Sequence, residues 1–493
     1  MHSHTDTDTD TDTDTRGRPP ARRHRRAGVV LLSLAAALVA ASCGGGGGST
    51  STTQKKATGV VDPAACGLKA FAAAPKPVQI VLWHTMARSN NDWLVGQINQ
   101  FNSSQSDVHV TLNQQPSYAD LFNKYKAGLS SGDLPDVAQF EDTTVAQLID
   151  SRSTVPVQDC IDASHYALGD YLPRALKFYS YAGVQRAMPF GVSNIVLFYD
   201  PNKFRKAGLD PNKPPQTLAE VQADSQKIVS SGAATHGISL HEQPYLFEFL
   251  LAKSGGQYVN NENGRAARAT KANLTSPTAM KIWQWWDGMV KSGLALDTGS
   301  DPNNFDHLIA LAVGNAAMTF EASSAIGPIE AVLASGQYPG VQIATAPLPA
   351  LTTGGGVPVG DGSLWLSSHS APAKRAAAWK LIQYLDSPAV QASMAAEGGY
   401  VPVRMSATTM PVLANRWAQD PNYRVGYTQL TTGALSNANI GSLIGDYQGV
   451  RNAVQDGMVQ MLSNHQSPQA AAALAEREAN AKIQDYNTRI GGG

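Results

Sequence analysis

The segment Val78-Gln79-Ile80-Val81-Leu82-Trp83 decides the fold class, because it is an apolar run of strand length. Residues 92–101 follow it with apolar side chains at helical spacing, and residues 108–112 return to a strand-like pattern. Alternation of strand and helix is typical of α/β proteins, in which helices cover a parallel sheet. We therefore predict an α/β fold with a parallel sheet.

The same alternation continues along the rest of the chain. It recurs over 118–129, 136–140, 195–199, 218–230, 245–254, 278–292, 316–320, 341–347 and 371–385, and an Ala-rich helix is predicted over 468–490. With 493 residues the chain exceeds the usual size of one domain, about 100 to 200 residues. We expect two or more lobes.

The overall charge is nearly balanced, with 38 Lys and Arg residues against 39 Asp and Glu residues. A net charge of −1 provides no broad positive field to hold a phosphate backbone or an anionic membrane surface. Nucleic acid is therefore not expected as a partner. Apolar residues make up 43% of the chain, which is enough for a sizeable core.

The N-terminal region has the pattern of an export signal. A Thr-Asp repeat over 5–14, to which we assign no function, precedes six arginines between Arg16 and Arg26. An apolar stretch of 16 residues, Ala27–Ser42, follows and ends in small residues. Crossing a bilayer takes about 20 apolar residues, so this stretch is short for a membrane anchor. We predict that residues 1–42 are a signal peptide, exported by the general or the twin-arginine route.

The residues around Cys43 indicate a use for this cysteine. Ala40-Ala41-Ser42-Cys43 resembles a bacterial lipobox, in which the cysteine becomes the lipidated first residue, although Ala40 departs from the usual Leu, Val or Ile. The resemblance implies a lipid anchor at Cys43, followed by a flexible tether over 43–75 that is rich in Gly and Ser. Plain secretion is the alternative.

Two cysteines remain in the mature chain, Cys66 and Cys160. In an oxidising compartment their simplest use is one disulfide that attaches the tether to the first lobe. The cysteines and histidines form no closely spaced set, so we predict neither a metal site nor a cofactor.

Several short motifs, taken together and in order, resemble one protein family. They are Trp83-His84-Thr85-Met86, Phe101-Asn102, Pro189-Phe190, Val196-Leu197-Phe198-Tyr199-Asp200, the segments 204–211 and 214–217, Ala317-Met318-Thr319, Ala346-Pro347-Leu348-Pro349, Gly362-Ser363-Leu364-Trp365, Ser387-Pro388 and Gly399-Tyr400-Val401-Pro402-Val403. Over residues 76–490 the chain resembles the extracellular solute-binding proteins, family 1, of carbohydrate-uptake ABC transporters. It is most similar to their glycerol-phosphate and glycerophosphodiester branch.

The resemblance implies a type II periplasmic-binding-protein fold with two hinged lobes and a ligand cleft between them. Lobe I would comprise 76–192 and 363–405, and lobe II 193–362 and 406–493. The implied function is a monomeric substrate-binding lipoprotein outside the cytoplasm of a bacterium, which captures a sugar or polyol-type solute and delivers it to the permease subunits of an ABC importer.

The resemblance also implies the ligand-binding residues. Matching motifs give Tyr118, Glu141, Ser193, Ser323, Asp361, Gly362 and Tyr400. Each type suits a polyol, because carboxylates accept hydroxyl hydrogen bonds and tyrosines offer a ring face with a polar tip. The alternatives are that the two tyrosines are packing residues and that Glu141 caps the following helix. We expect His84 to be a core histidine, and the tryptophans at 283, 285 and 286 to form an apolar helix face.

Departures from the glycerol-phosphate binders bear on the ligand. Leu443 stands where that branch carries an arginine for the phosphate, and Asp361 and Glu321 add acids that would repel a phosphate. We therefore expect a neutral sugar or oligosaccharide. A phosphodiester with a cationic head, such as glycerophosphocholine, is the alternative, with Arg404 or Arg451 as a possible phosphate contact.

A secreted glycosidase and a surface lectin are two other classes of function that a cleft could serve. A secreted glycosidase would need two carboxylates flanking a cleft, about 5 to 10 Å apart. The resemblance argues for binding without turnover, so we expect no enzyme activity. A surface lectin or adhesin that never meets a permease is the remaining alternative.

Overall fold

The computed structural model describes residues 61–301 and 305–491. The predicted signal peptide, the lipidation site Cys43 and most of the tether lie outside the described residues. No helix in these two ranges is both long enough and apolar enough to cross a bilayer.

The described residues form thirteen strands. These are β1 (Val78–His84), β2 (Val108–Gln114), β3 (Val137–Glu141), β4 (Thr154–Val155), β5 (Ser180–Tyr181), β6 (Val184–Gln185), β7 (Met188–Ser193), β8 (Ile195–Tyr199), β9 (His236–Leu240), β10 (Ala295–Asp297), β11 (Ala316–Ala322), β12 (Ala344–Pro347) and β13 (Gly360–Ser367).

The described residues also form nineteen α-helices. These are α1 (Leu68–Ala73), α2 (Ser89–Ser104), α3 (Tyr118–Ser131), α4 (Val145–Ser151), α5 (Val157–Ser164), α6 (Pro173–Phe178), α7 (Pro201–Lys206), α8 (Leu218–Ser230), α9 (Pro244–Lys253), α10 (Asn260–Gly264), α11 (Pro277–Lys291), α12 (Asp306–Ala312), α13 (Ile326–Ala334), α14 (Pro372–Leu385), α15 (Pro388–Gly398), α16 (Pro411–Gln419), α17 (Val425–Thr431), α18 (Tyr447–Leu462) and α19 (Pro468–Gly491).

The strands build two large sheets, each of which is the centre of one lobe. The sheet of lobe I has the order β2-β1-β3-β13-β4, with β7 paired to β13, and the sheet of lobe II has the order β10-β9-β11-β8-β12. Strands β5 and β6 form a separate small hairpin. Because β13 lies in the first sheet, the chain leaves lobe I after β7 and returns to it after β12.

Both large sheets are mixed, so the prediction of a parallel sheet is wrong in part. Strand β1 runs parallel to β2 and β3, whereas β13 is antiparallel to β3, with Gly362 opposite Glu141. In lobe II, β8 is antiparallel to both β11 and β12. The crossings between the lobes explain this. A strand that begins at the junction runs away from the junction, so it is antiparallel to neighbouring strands that end at the junction.

The crossings between the lobes are short. Strand β7 ends at Ser193 and β8 begins at Ile195, so a single residue separates a strand of lobe I from a strand of lobe II. The returning strand starts beside this point, because Gly360 is paired with Ser193. Gly360 also has no room for a side chain, since an added Cβ would lie 1.7 Å from the Tyr245 hydroxyl. The lobe boundaries given above stay a prediction.

A disulfide joins Cys66 to Cys160, with a Cα–Cα distance of 4.9 Å. Both cysteines are fully buried. Cys66 precedes β1, and Cys160 lies in α5 of lobe I. The segment in front of the first strand is therefore attached covalently to lobe I.

The two C-terminal helices pack against α9 and α11 of lobe II. Helix α19 buries Ala471, Ala472, Ala475 and Ala479, and such small side chains permit close approach of two helices. On α11, Trp283 and Trp286 are fully buried. These two tryptophans are core residues, as the apolar helix face predicted.

A buried ion cluster joins the two lobes. Arg451 on α18 contacts Glu248 on α9, and the distance from its Nε to Oε1 of Glu248 is 2.8 Å. Its Nη2 lies 2.9 Å from Oδ2 of Asp142, which directly follows β3. Glu141 is more distant, at 3.8 Å from Nη1. Burial raises the pKa of each of the three carboxyls, while the guanidinium opposes this shift. One cation thus stabilises acids from both lobes.

Replacing Arg451 by Met is expected to destabilise the protein by about 3 to 5 kcal/mol, because the carboxyls would be left buried without their cation. Urea unfolding at pH 7 measures the change. The control is Arg477→Met, whose side chain is 72% exposed and should change stability by at most about 0.5 kcal/mol. Equal effects of the two substitutions would contradict a structural role of the cluster.

Candidate functional site

A cavity of about 630 Å³ lies between the two sheets, and its size is typical of small-molecule sites. One side comes from strand ends and loops of lobe I, and the other from β11, α12 and α13 of lobe II. The polar side chains around it belong to Thr85, Arg88, Asn90, Tyr118, Gln139, Glu321, Ser324, Gln337, Tyr338, Asp361 and Tyr400.

The lobe I side is polar because several of its strands end there. The Thr85 backbone N–H, just after β1, donates to Oε1 of Gln139 on β3 at 3.1 Å. Tyr118 begins α3, where the Ser117 side chain caps the helix. The Tyr118 hydroxyl lies beside Gly362, since a Cβ added there would be 3.0 Å from it. Gly362 therefore makes room for the tyrosine.

Asp361 occupies an unusual backbone position between the lobes. Its φ is +67°, and the pairing of β13 with β7 shifts register at this residue. Burial and, to a smaller extent, nearby carboxyls that include Glu321 together raise the pKa of its carboxyl to about 7, although the hydroxyl of Ser193 opposes the shift. The Ser324 hydroxyl of lobe II lies 3.5 Å from Oδ2 of Asp361. This acid titrates near neutral pH and faces both lobes.

Glu321 is the acid on the lobe II side of the cavity, and a hydrogen bond from a histidine favours its ionised form. Nε2 of His307 lies 2.8 Å from Oε2 of Glu321, and the Ala322 backbone N–H donates to the other oxygen at 2.6 Å. Burial opposes ionisation, yet these hydrogen bonds hold the pKa of Glu321 below its ordinary value. The site thus combines an ionised carboxylate with a carboxyl that is poised near neutrality.

Tyr400 completes the polar side of the cavity. It follows Gly399, which ends α15 in the left-handed conformation, and it is close to Asn90. Burial raises the pKa of Tyr400, and that of Tyr118 well above its ordinary value, so both hydroxyls stay protonated. A neutral phenol can donate one hydrogen bond and accept others, which suits a hydroxylated ligand.

The lobe II side is largely apolar. Helices α12 and α13 contribute Leu308, Ile309, Ile329 and Val332 to the cavity wall. At the mouth, the Arg88 guanidinium of lobe I lies 4.8 Å from the ring centre of Phe305. The cavity is therefore polar on one side and apolar on the other.

The structure brings three of the seven residues implied by the resemblance to the cavity lining, and a fourth lies against one of them. Tyr118, Asp361 and Tyr400 line the cavity, and Gly362 lies against the Tyr118 hydroxyl. The other three lie behind this surface. Ser193 is fully buried beside Asp361, and Ser323 is buried against Gly426.

Glu141 belongs to the ion cluster with Arg451 rather than to the cavity lining. Its Oε1 accepts a hydrogen bond from the Thr143 hydroxyl at 2.7 Å. His84 is fully buried, and burial lowers its pKa to about 4, so it is a neutral core residue.

Sequence reasoning missed Gln139, Asn90 and Ser324. Gln139 carried a usable signal, because it is a polar residue inside a strand that is otherwise buried on both faces. Asn90 and Ser324 lie in segments with no distinguishing pattern. The apolar helix wall was also missed.

The inference from Leu443 about the ligand assumed that this residue lies in the binding site, and the structure does not place it there. Leu443 is buried away from the cavity, where its backbone N–H donates to the Asn263 carbonyl at 2.8 Å. The missing arginine at this position therefore says nothing about the ligand. Arg404 and Arg451 also lie outside the lining, paired with Asp170 and with the ion cluster.

Within 61–301 and 305–491, no group of three or more His, Cys, Asp or Glu side chains is arranged to hold a metal ion. The acids of the cavity act as hydrogen-bond acceptors and charges.

A two-lobed α/β fold with a small-molecule cavity between its sheets defines a solute-binding protein, and the sequence comparison agrees. The family described as bacterial extracellular solute-binding proteins matches residues 96–425, more than half of the chain. The chain belongs to this family.

The sequence identity to curated relatives is low, but the alignments cover nearly the full length of those relatives. The sn-glycerol-3-phosphate-binding periplasmic protein UgpB of Brucella abortus (strain 2308) is 24% identical over 425 residues, which are 85% of this chain and 95% of the relative. The protein of the same name from Rhizobium meliloti (strain 1021) is 25% identical over 418 residues, 83% of this chain and 95% of the relative.

Solved structures share the fold. The GacH receptor of Streptomyces glaucescens GLA.O, determined unliganded and with acarbose, superimposes with a TM-score of 0.69 at 21% identity, over 83% of this chain and 99% of that one. UgpB from Mycobacterium tuberculosis in complex with glycerophosphocholine gives a TM-score of 0.70 at 18% identity, over the same shares. The predicted type II, two-lobed fold is confirmed.

The raised pKa of Asp361 predicts a pH-dependent effect of Asp361→Asn on stability. Its pKa rises from 3.8 to about 7 on folding, so the native state holds an extra proton between these values and loses stability as pH rises through that window. Asparagine tolerates a positive φ and removes this cost. The gain in thermal midpoint should be larger at pH 8 than at pH 5.

Thermal unfolding at the two pH values provides the measurement, with Asp485→Asn as the control because that side chain is 65% exposed. The control should change the midpoint equally at both pH values. A pH-independent effect of Asp361→Asn would show that this carboxyl titrates in its ordinary range.

Proposed function

We propose that this protein is the lipid-anchored receptor of an ABC importer, which captures a sugar or polyol-type solute between its lobes and presents it to the permease. The single observation that carries the proposal is the cavity between two lobes that are connected by short strand crossings. Solute that bridges the lobes would favour their closed arrangement, which gives a permease something to recognise.

The polar side of the cavity supports a hydroxylated solute. Asp361 and Glu321 supply carboxyl oxygens, and Tyr118 and Tyr400 supply neutral hydroxyls next to ring faces. Such a set can satisfy several hydroxyls of one ligand. Among the described lining residues Arg88 is the only cation, so a free phosphate would meet more negative than positive charge.

A glycerophosphodiester with a cationic head is the second candidate. The specific observation in its favour is the pairing of two carboxyls with two tyrosine rings, which can hold a quaternary amine. The relatives named above include glycerol-3-phosphate binders and a complex with glycerophosphocholine. Arg88 at the mouth would then face the phosphate.

Binding without turnover is inferred from the family, whose members are described as solute-binding proteins, and not from the chemistry of the two cavity acids. Glu321 is held by His307, and both of its oxygens accept hydrogen bonds from the protein. The lowered pKa of Glu321 makes it a poor general acid at neutral pH, whereas Asp361, with a pKa of about 7, could hold such a proton, so a direct test of turnover is needed. Incubation with glycosides should release no product.

The solute class is tested by a thermal-shift screen of residues 44–493 against neutral sugars, polyols, glycerol phosphate and glycerophosphodiesters. A ligand that binds only the folded state raises the free energy of unfolding by about 2.7 kcal/mol when its concentration is a hundred times its Kd. A shift with sugars supports the first candidate, and a shift with glycerophosphodiesters alone supports the second. Stability unchanged across all four classes would count against the proposed function.

Tyr118→Phe is expected to weaken binding of the solute found in the screen by about tenfold, because one hydroxyl contact is lost while the ring remains. Titration calorimetry measures the Kd. Tyr384→Phe is the matched control, since Tyr384 is half-buried on α14, donates to Gln97 at 3.2 Å and lies outside the cavity. Similar affinities of both variants and the native protein would remove Tyr118 from the site.

The lipid anchor is tested separately in cells by labelling with an alkynyl fatty acid. The native protein should carry the label, and Cys43→Ser should lose it, because the thiol is the attachment point of the lipobox. Ser49→Ala should keep the label. Labelling of Cys43→Ser at the native level would refute lipidation at this cysteine.

A further inference from the structure

We propose that the solute is amphiphilic, with a hydroxylated or cationic part held by Asp361, Tyr118 and Glu321 and an aliphatic part lying on helices α12 and α13. This inference rests on the proposed function and specifies the chemistry of the solute. It follows from the contrast between the two sides of the cavity.

The wall formed by α12 and α13 cannot serve hydroxyl groups. Leu308, Ile309, Ile329 and Val332 line the cavity and carry no hydrogen-bonding atoms in their side chains. A polyol hydroxyl placed against them would lose its water without gaining a partner, which is costly. A ligand that fills the cavity therefore needs an apolar part on this side.

Three large apolar side chains of the cavity lining, two on the wall and one directly before α12, are exposed. Phe305 is 45% exposed, Ile309 44% and Val332 43%. Contiguous exposed apolar surface marks a binding site in monomeric proteins. All three side chains line the cavity, so a ligand that enters it can cover them.

Closure of the lobes upon each other does not explain this wall. The facing side of lobe I presents mainly polar side chains, those of Thr85, Asn90, Tyr118 and Gln139, beside the smaller apolar contribution of Met86 and Ala87. Direct contact would bring the polar atoms of this side against aliphatic groups and leave them without partners. An amphiphile matches both sides at once, because its polar part faces lobe I and its aliphatic part faces lobe II.

The charges of the cavity restrict the polar part. Asp361 and Glu321 contribute two carboxyls, and the Arg88 guanidinium is positioned at the mouth over the Phe305 ring. A neutral or cationic head is therefore favoured over an anionic one. Alkyl or acyl glycosides and cationic amphiphiles are the chemical classes that fit.

The first test uses a neutral fluorescent probe, N-phenyl-1-naphthylamine, which needs no particular head group. The native chain should bind it saturably, and Ile309→Asn and Val332→Asn should each raise its Kd at least about fivefold, because both put a polar amide on the wall. Val313→Asn is the matched control, since Val313 directly follows α12, is 52% exposed and does not line the cavity.

The second test compares methyl and hexyl β-D-glucopyranoside by titration calorimetry on the same four proteins. Each buried methylene adds affinity, so the hexyl compound should bind the native protein at least about tenfold more tightly. This advantage should shrink in Ile309→Asn and persist in Val313→Asn.

The outcomes separate this inference from the proposed function. Equal affinity for the two glucosides overturns the inference and leaves a sugar receptor intact. Probe binding that is absent, or equal in all four proteins, also overturns it. If neither glucoside binds, the probe decides the role of the wall, while the solute screen decides the proposed function.

Discussion

The return of β13 into the sheet of lobe I is the constraint on which the rest of the structure depends. This strand starts at the junction and runs antiparallel to β3, so its first residues lie beside the ends of β3 and β7. Gly360, Asp361 and Gly362 thereby reach the space between the lobes. Gly360 leaves room for the Tyr245 hydroxyl, and Gly362 lies against the Tyr118 hydroxyl. Asp361, between the two glycines, lines the cavity.

Below this junction, electrostatics holds the two lobes in contact. Arg451 pairs with acids from both lobes, Asp142 directly after β3 and Glu248 on α9, and desolvation makes these acids dependent on it. Among the described residues that line the cavity, Arg88 is the only cation, and the pKa values of the two acids are shifted in opposite directions. The protein thus separates a charge cluster that supports the fold from a polar surface that remains available to a ligand.

Much of the fold could be predicted from the sequence, because the apolar runs that form strands and helices are visible in it. The segment 195–199 is a strand with the predicted bounds, and 218–230 is a helix with the predicted bounds. Strand direction could not be predicted, since an apolar run has the same pattern whichever way it enters a sheet.

The candidate site was harder to predict. Tyr118 and Tyr400 line the cavity as the resemblance implied, but Glu141 turns to an arginine more than three hundred residues away in sequence, which no local pattern reveals. The helix wall was missed for a related reason. Periodicity identifies an apolar helix face, but it does not say whether protein or ligand covers that face.

The disulfide between Cys66 and Cys160 has a mechanical consequence for the proposed membrane-attached receptor. Any pull on the polypeptide ahead of residue 66 passes through the sulfur atoms into α5, and so into lobe I, without loading β1 or its hydrogen bonds. In the proposed receptor, lobe I would then be the attached body and lobe II the one free to move. Thermal motion of the proposed membrane anchor would therefore exert no force that opens or closes the cleft.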